Sequence, residues 1–210
     1  MAGHQSAGTI GGQGAGSAVL VVGLIALVLN LLVTALSAAG YHLFIPFNIL
    51  GGFTYSIGLS SVVTPIVVAF ALWRYAGLSQ GRAWLAALLL FVVLIVVSFI
   101  VNYGTGKLLN SLSNAMITNS TNFYGVQFIR AAFSAASVLI VAQYFAPVLR
   151  AWSLWIGLII VWAGGDIFLF MLYKNQFITR DVYQWLYPIE RTLGFMVIAY
   201  QLQRPAKRAA

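Results

Sequence analysis

The feature that most constrains this chain is a series of six long apolar runs. They lie near residues 18–39, 54–75, 83–103, 124–147, 152–173 and 183–203. Each run approaches or exceeds the roughly 20 residues that a helix needs to cross the hydrocarbon core of a bilayer. Charged residues make up only 7% of the sequence, against about 25% in soluble domains, so they cannot cover a surface that faces water. The sequence therefore predicts an all-α, polytopic integral membrane protein, a six-transmembrane-helix bundle.

The chain divides into one domain with two tails. Residues 1–17 are rich in glycine, serine and glutamine without apolar periodicity, which predicts a flexible N-terminal tail. Residues 18–203 form the predicted six-helix transmembrane domain, and residues 204–210 form a basic C-terminal tail. The links at 76–82 and 148–151 are short, so the helices that they join should be antiparallel neighbours.

The orientation follows from lysine and arginine, which concentrate on the cytoplasmic side of membrane proteins. One side of the predicted bundle holds both termini and six basic residues: Arg74, Arg82, Arg150, Arg204, Lys207 and Arg208. The other side holds three: Lys107, Lys174 and Arg180. We therefore expect a multi-pass protein of the cell membrane with both termini in the cytoplasm and the lipid bilayer as its first partner.

Four charged residues fall inside predicted helices, at similar depths. The run WAGGDIFLFMLY (162–173) places Asp166 ~12 Å below the outer surface, at about 1.5 Å per helical residue. Arg130 lies ~9 Å down and Glu190 ~10 Å down, with Arg191 next to it. A lone charge in mid-membrane costs on the order of 3 kcal/mol, so opposite charges on neighbouring helices should pair. We predict that Asp166 pairs with Arg130, and Glu190 with a basic neighbour.

Uncharged polar residues extend this cluster, mostly in the outer half of the bundle. They include Asn30 on helix one, Asn102 on helix three, and Gln127 and Ser134 on helix four. A stripe on helix two adds three more: Ser56, Ser60 and Thr64. The inner halves are almost wholly apolar, so the sequence predicts an apolar plug below a polar, charge-lined chamber. The candidate ligand-binding residues are Arg130, Asp166, Glu190, Arg191, Gln127, Ser134, Asn30 and Asn102.

The connection at 104–121 is long for a helical bundle. Leu108, Leu112 and Met116 repeat at four-residue spacing, which predicts a short amphipathic helix lying over the chamber as a lid. The tripeptide NST, starting at Asn119, fits a glycosylation sequon on the outer side.

Three functions remain open. The leading hypothesis is a solute-binding or transport protein, in which Arg130 and Arg191 meet a small anionic or polar solute. The second is a structural or accessory subunit of a larger membrane complex, whose charges only hold helices in register and whose apolar faces pack on partner subunits. The third is a membrane-embedded enzyme acting on a lipid or isoprenoid, with Asp166 or Glu190 as general acid. It ranks last because carboxylates beside arginines are poor proton donors.

The sequence lacks the residue motifs that several kinds of chemistry require. It has no glycine-rich phosphate loop, no HExxH zinc helix and no GxSxG nucleophile turn. Cysteine is absent and the two histidines are His4 and His42, so we expect no metal and no other cofactor. The basic residues are scattered along the chain instead of clustered, so nucleic acid is not an expected partner.

Overall fold

A computed structural model describes residues 15–41, 45–49, 53–57, 60–114 and 120–203 of the chain. Within these ranges lie six helices, which we number α1 (Ala15–Ala38), α2 (Ser60–Tyr75), α3 (Gln80–Asn114), α4 (Ser120–Phe145), α5 (Trp152–Lys174) and α6 (Arg180–Gln203). The helical architecture is as predicted, except that the last three residues of the expected N-terminal tail begin α1. The rest of that tail, the C-terminal tail, both histidines, Met116 and Asn119 lie outside the described residues.

Four of these helices are long and apolar enough to cross a membrane. The spans are Ser17–Ala38, Gln80–Lys107, Tyr124–Phe145 and Trp152–Lys174. The other two helices differ from them. α2 is apolar but has only 16 residues, and α6 has 24 residues but carries four charges: Arg180, Asp181, Glu190 and Arg191.

A short antiparallel hairpin joins α1 to α2. Its strands are β1 (Ile45–Ile49) and β2 (Phe53–Ile57), paired so that Phe47 lies opposite Tyr55. The β2 sequence FTYSI consists mostly of aromatic and β-branched residues, which favour strands over helices.

This hairpin corrects the predicted start of helix two. The sequence predicts a helix from residue 54, whereas α2 begins at Ser60. Ser56 therefore belongs to β2 and not to a helical polar stripe. An apolar run of 22 residues thus divides into a strand and a helix, because apolar character alone does not distinguish the two.

The predicted lid is also wrong, because α3 continues into this connection as far as Asn114. The sequence predicts an end near residue 103, but the helix reaches Asn114 and is 35 residues long, or ~52 Å at 1.5 Å per residue. Leu108 and Leu112 thus lie on the extension of α3 and not on a separate helix. The glycines at 104 and 106 disfavour a helix by about 1 kcal/mol each. Between them, the hydroxyl of Thr105 donates a hydrogen bond to the carbonyl of Val101 at 2.6 Å.

The helices form a closed bundle in which α2, α4 and α6 make the most varied contacts. α6 packs against α1, α2 and α5, and α4 packs against α2, α3 and α5. Consecutive helices are joined by short connections in most cases, so they alternate in direction. We call the end that holds the start of α1 and the last residue of α6 the terminal end, and the opposite end the hairpin end.

The buried apolar core lies towards the terminal end. Its largest fully buried aliphatic side chains are Leu72, Leu90, Leu139, Leu149, Leu158 and Ile198, and they belong to one continuous cluster. The buried polar side chains among the described residues are Thr105, Ser137, Glu190, Thr192 and Gln201. Thr105 lies towards the hairpin end, Glu190 and Thr192 lie near the middle of α6, and Gln201 lies at the terminal end, where it donates to the carbonyl of Val148 at 3.3 Å. Buried polar side chains are therefore not confined to one half of the bundle, contrary to the prediction from the sequence.

Two helices present apolar side chains outward at helical spacing. The exposed residues are Leu20, Leu24, Val28 and Leu32 on α1, and Leu85, Leu88, Val92, Val96 and Ile100 on α3. A continuous apolar stripe of this length is unusual on a protein surface that faces water. It is the surface expected of a helix that faces hydrocarbon.

Three described helices are followed by a residue in the left-handed backbone conformation, and after α2 this residue is Gly77 with φ 69°. Gly40 follows α1 with φ 85°, and the N–H of Tyr41 closes the turn on the carbonyl of Leu36 at 2.9 Å. Gln176 does the same after α5 with φ 62°, and the N–H of Phe177 donates to the carbonyl of Leu172 at 2.9 Å. Each turn satisfies carbonyl groups at a helix C-terminus and stops the helix there.

A π-helical turn interrupts α5. The segment Ile160–Gly164 lies between the α-helical parts Trp152–Ile159 and Gly165–Lys174. Single π turns inside α-helices occur often at functional sites. Here the turn ends two residues before Asp166 and thus fixes the direction in which that side chain leaves the helix.

Candidate functional site

The centre of the charge cluster is an ion pair between α5 and α6. Nη2 of Arg191 donates a hydrogen bond to Oδ2 of Asp166 at 2.6 Å. The side chains of Arg191 and Asp166 are only 15% and 13% exposed. Such a short, charge-assisted contact is among the stronger hydrogen bonds in proteins. It fixes the relative position of α5 and α6 near the middle of α6.

Two aromatic rings hold the guanidinium of Arg191. Its Cζ lies 4.8 Å from the ring centroid of Tyr187 and 5.3 Å from that of Trp162, which are cation–π distances. The indole Nε1 of Trp162 also donates to the backbone carbonyl of Arg191 at 3.1 Å. The side chain of Arg191 is therefore restrained by one carboxylate and two aromatic rings, and its backbone carbonyl is bound by the indole of Trp162.

α5 and α6 approach so closely because glycine lies at both contacts. A β-carbon on Gly165 would lie 2.5 Å from Cγ of Glu190, and one on Gly194 would overlap the indole of Trp162. Small residues commonly permit such contacts between membrane helices. The two glycines therefore set the distance at which Arg191 can reach Asp166.

Glu190 lies behind this ion pair and not inside a cavity. It is 7% exposed, and its Oε2 lies 3.4 Å from Nε of Arg191. Neither carboxylate oxygen has a hydrogen-bond partner among the described residues. Glu190 therefore adds negative charge beside Arg191 without a directed hydrogen bond.

Arg130 on α4 does not pair with Asp166, and that prediction is wrong. Its Nε donates to the hydroxyl of Thr105 on α3 at 3.2 Å. Of the described residues, no carboxylate lies within 4.0 Å of its guanidinium. The close glycine contacts between α5 and α6 bring Arg191 within hydrogen-bond distance of Asp166. Asp166 therefore pairs with Arg191, and Arg130 has no acidic partner among the described residues.

The polar residues surround two small cavities between the helices. The first has a volume of about 210 Å³, and its polar lining comprises Ser98, Asn102, Gln127, Arg130, Ser134, Asp166, Tyr187 and Arg191. The second has a volume of about 150 Å³ and is lined by Asn30, Ser61, Thr64, Ser98, Ser134, Tyr187 and Arg191 together with apolar residues and Trp162. Four lining residues are common to both, so the cavities adjoin at Ser98, Ser134, Tyr187 and Arg191.

Three buried polar atoms of the lining residues have no hydrogen-bond partner among the described residues: Oδ1 of Asp166, Nδ2 of Asn30 and Nε of Arg191. Of these, Nε of Arg191 lies 3.4 Å from Oε2 of Glu190 in an ion pair. Buried polar groups are almost always satisfied by protein, water or ligand. The cavities thus offer one open acceptor at Asp166 and one open donor at Asn30.

The structure brings the predicted residues together but assigns some of them different roles. Six of the eight line the first cavity and Asn30 lines the second, whereas Glu190 lines neither. Whether these cavities hold a ligand stays a prediction. Among the described residues, no group of three or more histidine, aspartate or glutamate side chains is arranged to hold a metal ion.

Sequence reasoning missed Tyr187, Trp162 and Thr105. Trp162 lies inside the π-helical turn, which the sequence does not predict, so α-helical spacing does not relate it to Asp166. Tyr187 was available from helical spacing, because it lies four residues before Arg191. Residues four apart lie on the same helix face. Thr105 could not have been found in this way, because the sequence predicts that helix three ends before it.

Neither a scan against protein-family models nor searches of curated proteins and of solved structures find a match to this chain.

Proposed function

We propose that this chain is a multi-pass protein of the cell membrane that binds or transports a small polar solute. In this proposal all six helices cross the bilayer, both termini are cytoplasmic, and the hairpin end faces outward. Four helices of sufficient length and apolar character support insertion, as do the outward-facing leucines of α1 and α3.

The two remaining helices, α2 and α6, are also compatible with crossing a membrane. α2 has 16 residues, or ~24 Å, and a bilayer accommodates a span of this length by local thinning at a modest cost. α6 has 24 residues, or ~36 Å. Two of its charges, Arg180 and Asp181, lie in its first turn, and the other two lie in the charge cluster inside the bundle.

The observation that carries the proposed function is Arg130 at the wall of the first cavity. An ionisable residue inside a membrane is costly, and it is usually kept for a function. Arg191 has its structural partners already, but the only side-chain partner of Arg130 among the described residues is the hydroxyl of Thr105. A guanidinium that faces a polar cavity without a counter-charge suits an anionic group of a solute.

A purely structural role is the alternative, and Arg191 favours it. The ion pair and the aromatic contacts of Arg191 would hold α5 and α6 in register without any ligand. Arg130 distinguishes the two functions, because an ion pair that only holds two helices in register does not require a further cation at the wall of a cavity.

Solute binding predicts a selective loss in one variant. We expect at least one compound from a panel of amino acids, short carboxylates, phosphate and sugars to raise the melting temperature of the purified protein. Arg130→Gln should abolish that rise, because it removes the charge that meets the solute. Arg150→Gln, at the terminal end, is the matched control and should retain it. If no compound acts, or if the two variants respond alike, a solute site at Arg130 is excluded.

The proposed orientation predicts which connections are reached from outside the cell. The chain contains no cysteine, so a single introduced thiol is labelled unambiguously. A membrane-impermeant maleimide should label Phe177→Cys, between α5 and α6, on intact cells. It should label Ser79→Cys, between α2 and α3, only after permeabilisation. Labelling of both variants on intact cells would contradict the six-span topology.

A further inference from the structure

The first cavity presents an open negative group. Asp166 uses Oδ2 for Arg191, while its Oδ1 is buried without a hydrogen-bond partner among the described residues. The side chain lines the cavity. A bound group that donates a hydrogen bond, and above all one that carries positive charge, would satisfy this oxygen.

The same cavity presents an open positive group from another helix. Arg130 lines it from α4, and only its Nε has a hydrogen-bond partner among the described residues. The two Nη groups of a guanidinium form a planar fork that matches a carboxylate. The charged groups of Arg130 and Asp166 form no ion pair with each other within 4.0 Å, and both residues line the first cavity. A ligand in this cavity can therefore contact both.

The formal charge of the site is already balanced. Arg130 and Arg191 carry two positive charges, and Asp166 and Glu190 carry two negative ones. Burying a ligand of net charge in such a site would leave one uncompensated charge in a medium of low dielectric constant, which costs several kcal/mol. A ligand of zero net charge with separated ends leaves the balance intact.

The first cavity has a volume of about 210 Å³ and adjoins the second, of about 150 Å³. Each is below the range of about 300–1,000 Å³ that is usual for sites of drug-sized ligands, which favours a small solute. Asn102 and Gln127 add neutral hydrogen-bonding groups at the wall of the first cavity.

We infer that the solute is a small zwitterion, of the amino-acid class, whose carboxylate binds Arg130 and whose ammonium group binds Oδ1 of Asp166. This inference rests on the proposed solute-binding function and names the substrate class of that same site. Arg191 then acts as a positioning residue, since it orients the Asp166 carboxylate through Oδ2.

A ligand series on the unaltered full-length protein tests the inference without relying on any variant. Thermal unfolding is followed in glycine, L-alanine, β-alanine and 4-aminobutanoate, which separate the two charges by increasing distances. Propionate supplies the carboxylate alone, ethylamine supplies the ammonium alone, and glycine betaine supplies both charges without an N–H donor. At least one amino acid should bind about ten- to a hundredfold more tightly than either single-charge compound, which is the size expected for one lost charge-assisted hydrogen bond.

Two variants test which residue binds which charged group of the zwitterion. Arg130→Gln should reduce the affinity for the best amino acid to that of ethylamine, and Asp166→Asn should reduce it to that of propionate. Arg150→Gln serves as the control and should leave the affinity unchanged. If Asp166→Asn fails to fold, Arg130→Gln and the ligand series still decide the matter.

The outcomes separate the substrate class from the wider function. If propionate or phosphate binds as tightly as every amino acid and Arg130→Gln abolishes that binding, the zwitterion inference is wrong while solute binding stands. If glycine betaine matches the amino acids, the proposed hydrogen bond to Asp166 is wrong. If no compound binds, both the inference and the proposed function are overturned.

Discussion

Asp166→Ala is expected to lower the free energy of unfolding by about 3–5 kcal/mol, the range for removing one partner of a buried ion pair. The variant leaves the guanidinium of Arg191 buried, with Glu190 at 3.4 Å as its remaining counter-charge. Reversible unfolding in mixed detergent micelles, followed by tryptophan fluorescence, measures the change.

The third acidic residue provides the control. Asp181 is exposed in the first turn of α6, so Asp181→Ala should cost less than about 1 kcal/mol, the usual size of a helix-dipole contribution. The triple variant Asp166→Leu, Glu190→Gln and Arg191→Met should recover most of the loss, because it removes all three charges of the ion-pair cluster together. Equal losses in Asp166→Ala and Asp181→Ala would show that the ion pair does not stabilise the bundle.

Gly194→Ala is expected to destabilise the protein by about 1–3 kcal/mol, the range for overpacking a core. The new methyl group would overlap the indole of Trp162. Trp162 cannot move aside easily, because it is 1% exposed, bonds the carbonyl of Arg191 and packs edge-on against Phe195 at 5.5 Å. The separation of α5 and α6 must therefore increase, which also lengthens the contact between Arg191 and Asp166.

Gly164→Ala is the matched control for this second prediction. A β-carbon at Gly164 meets no atom within 4 Å, so the substitution should be neutral, or stabilising by up to about 1 kcal/mol through helix propensity. The same denaturation assay applies to both variants. A loss in Gly164→Ala as large as that in Gly194→Ala would mean that the effect comes from helix flexibility and not from the contact with Trp162.

The sequence predicted the level of the charge cluster but not its pairing. Counting residues from helix ends gives height along the bundle, and Arg130, Asp166 and Arg191 do line one cavity. Pairing depends also on the rotation of each helix and on the distance between helices. Those are set by the glycine contacts at Gly165 and Gly194, whose partners a single sequence does not reveal.

The hairpin and the length of α3 were not predicted for a different reason. Both errors lie at the edges of apolar runs, where hydropathy describes the environment and not the backbone conformation. The aromatic and β-branched residues of β2 favour a strand, and this local preference agrees with its pairing in the hairpin. The glycines around Thr105 favour a helix end, in agreement with the hydropathy, and α3 nevertheless continues past them.

The π-helical turn at Ile160–Gly164 changes how positions on α5 should be compared. One additional residue in a turn shifts everything after it by about 100° around the helix axis, since an α-helix advances 3.6 residues per turn. Positions before and after the turn therefore follow two different helical wheels. A variant library or a grafted peptide that treats residues 152–174 as one uninterrupted wheel would assign Asp166 to a neighbouring face, and would look for its partner on the wrong helix.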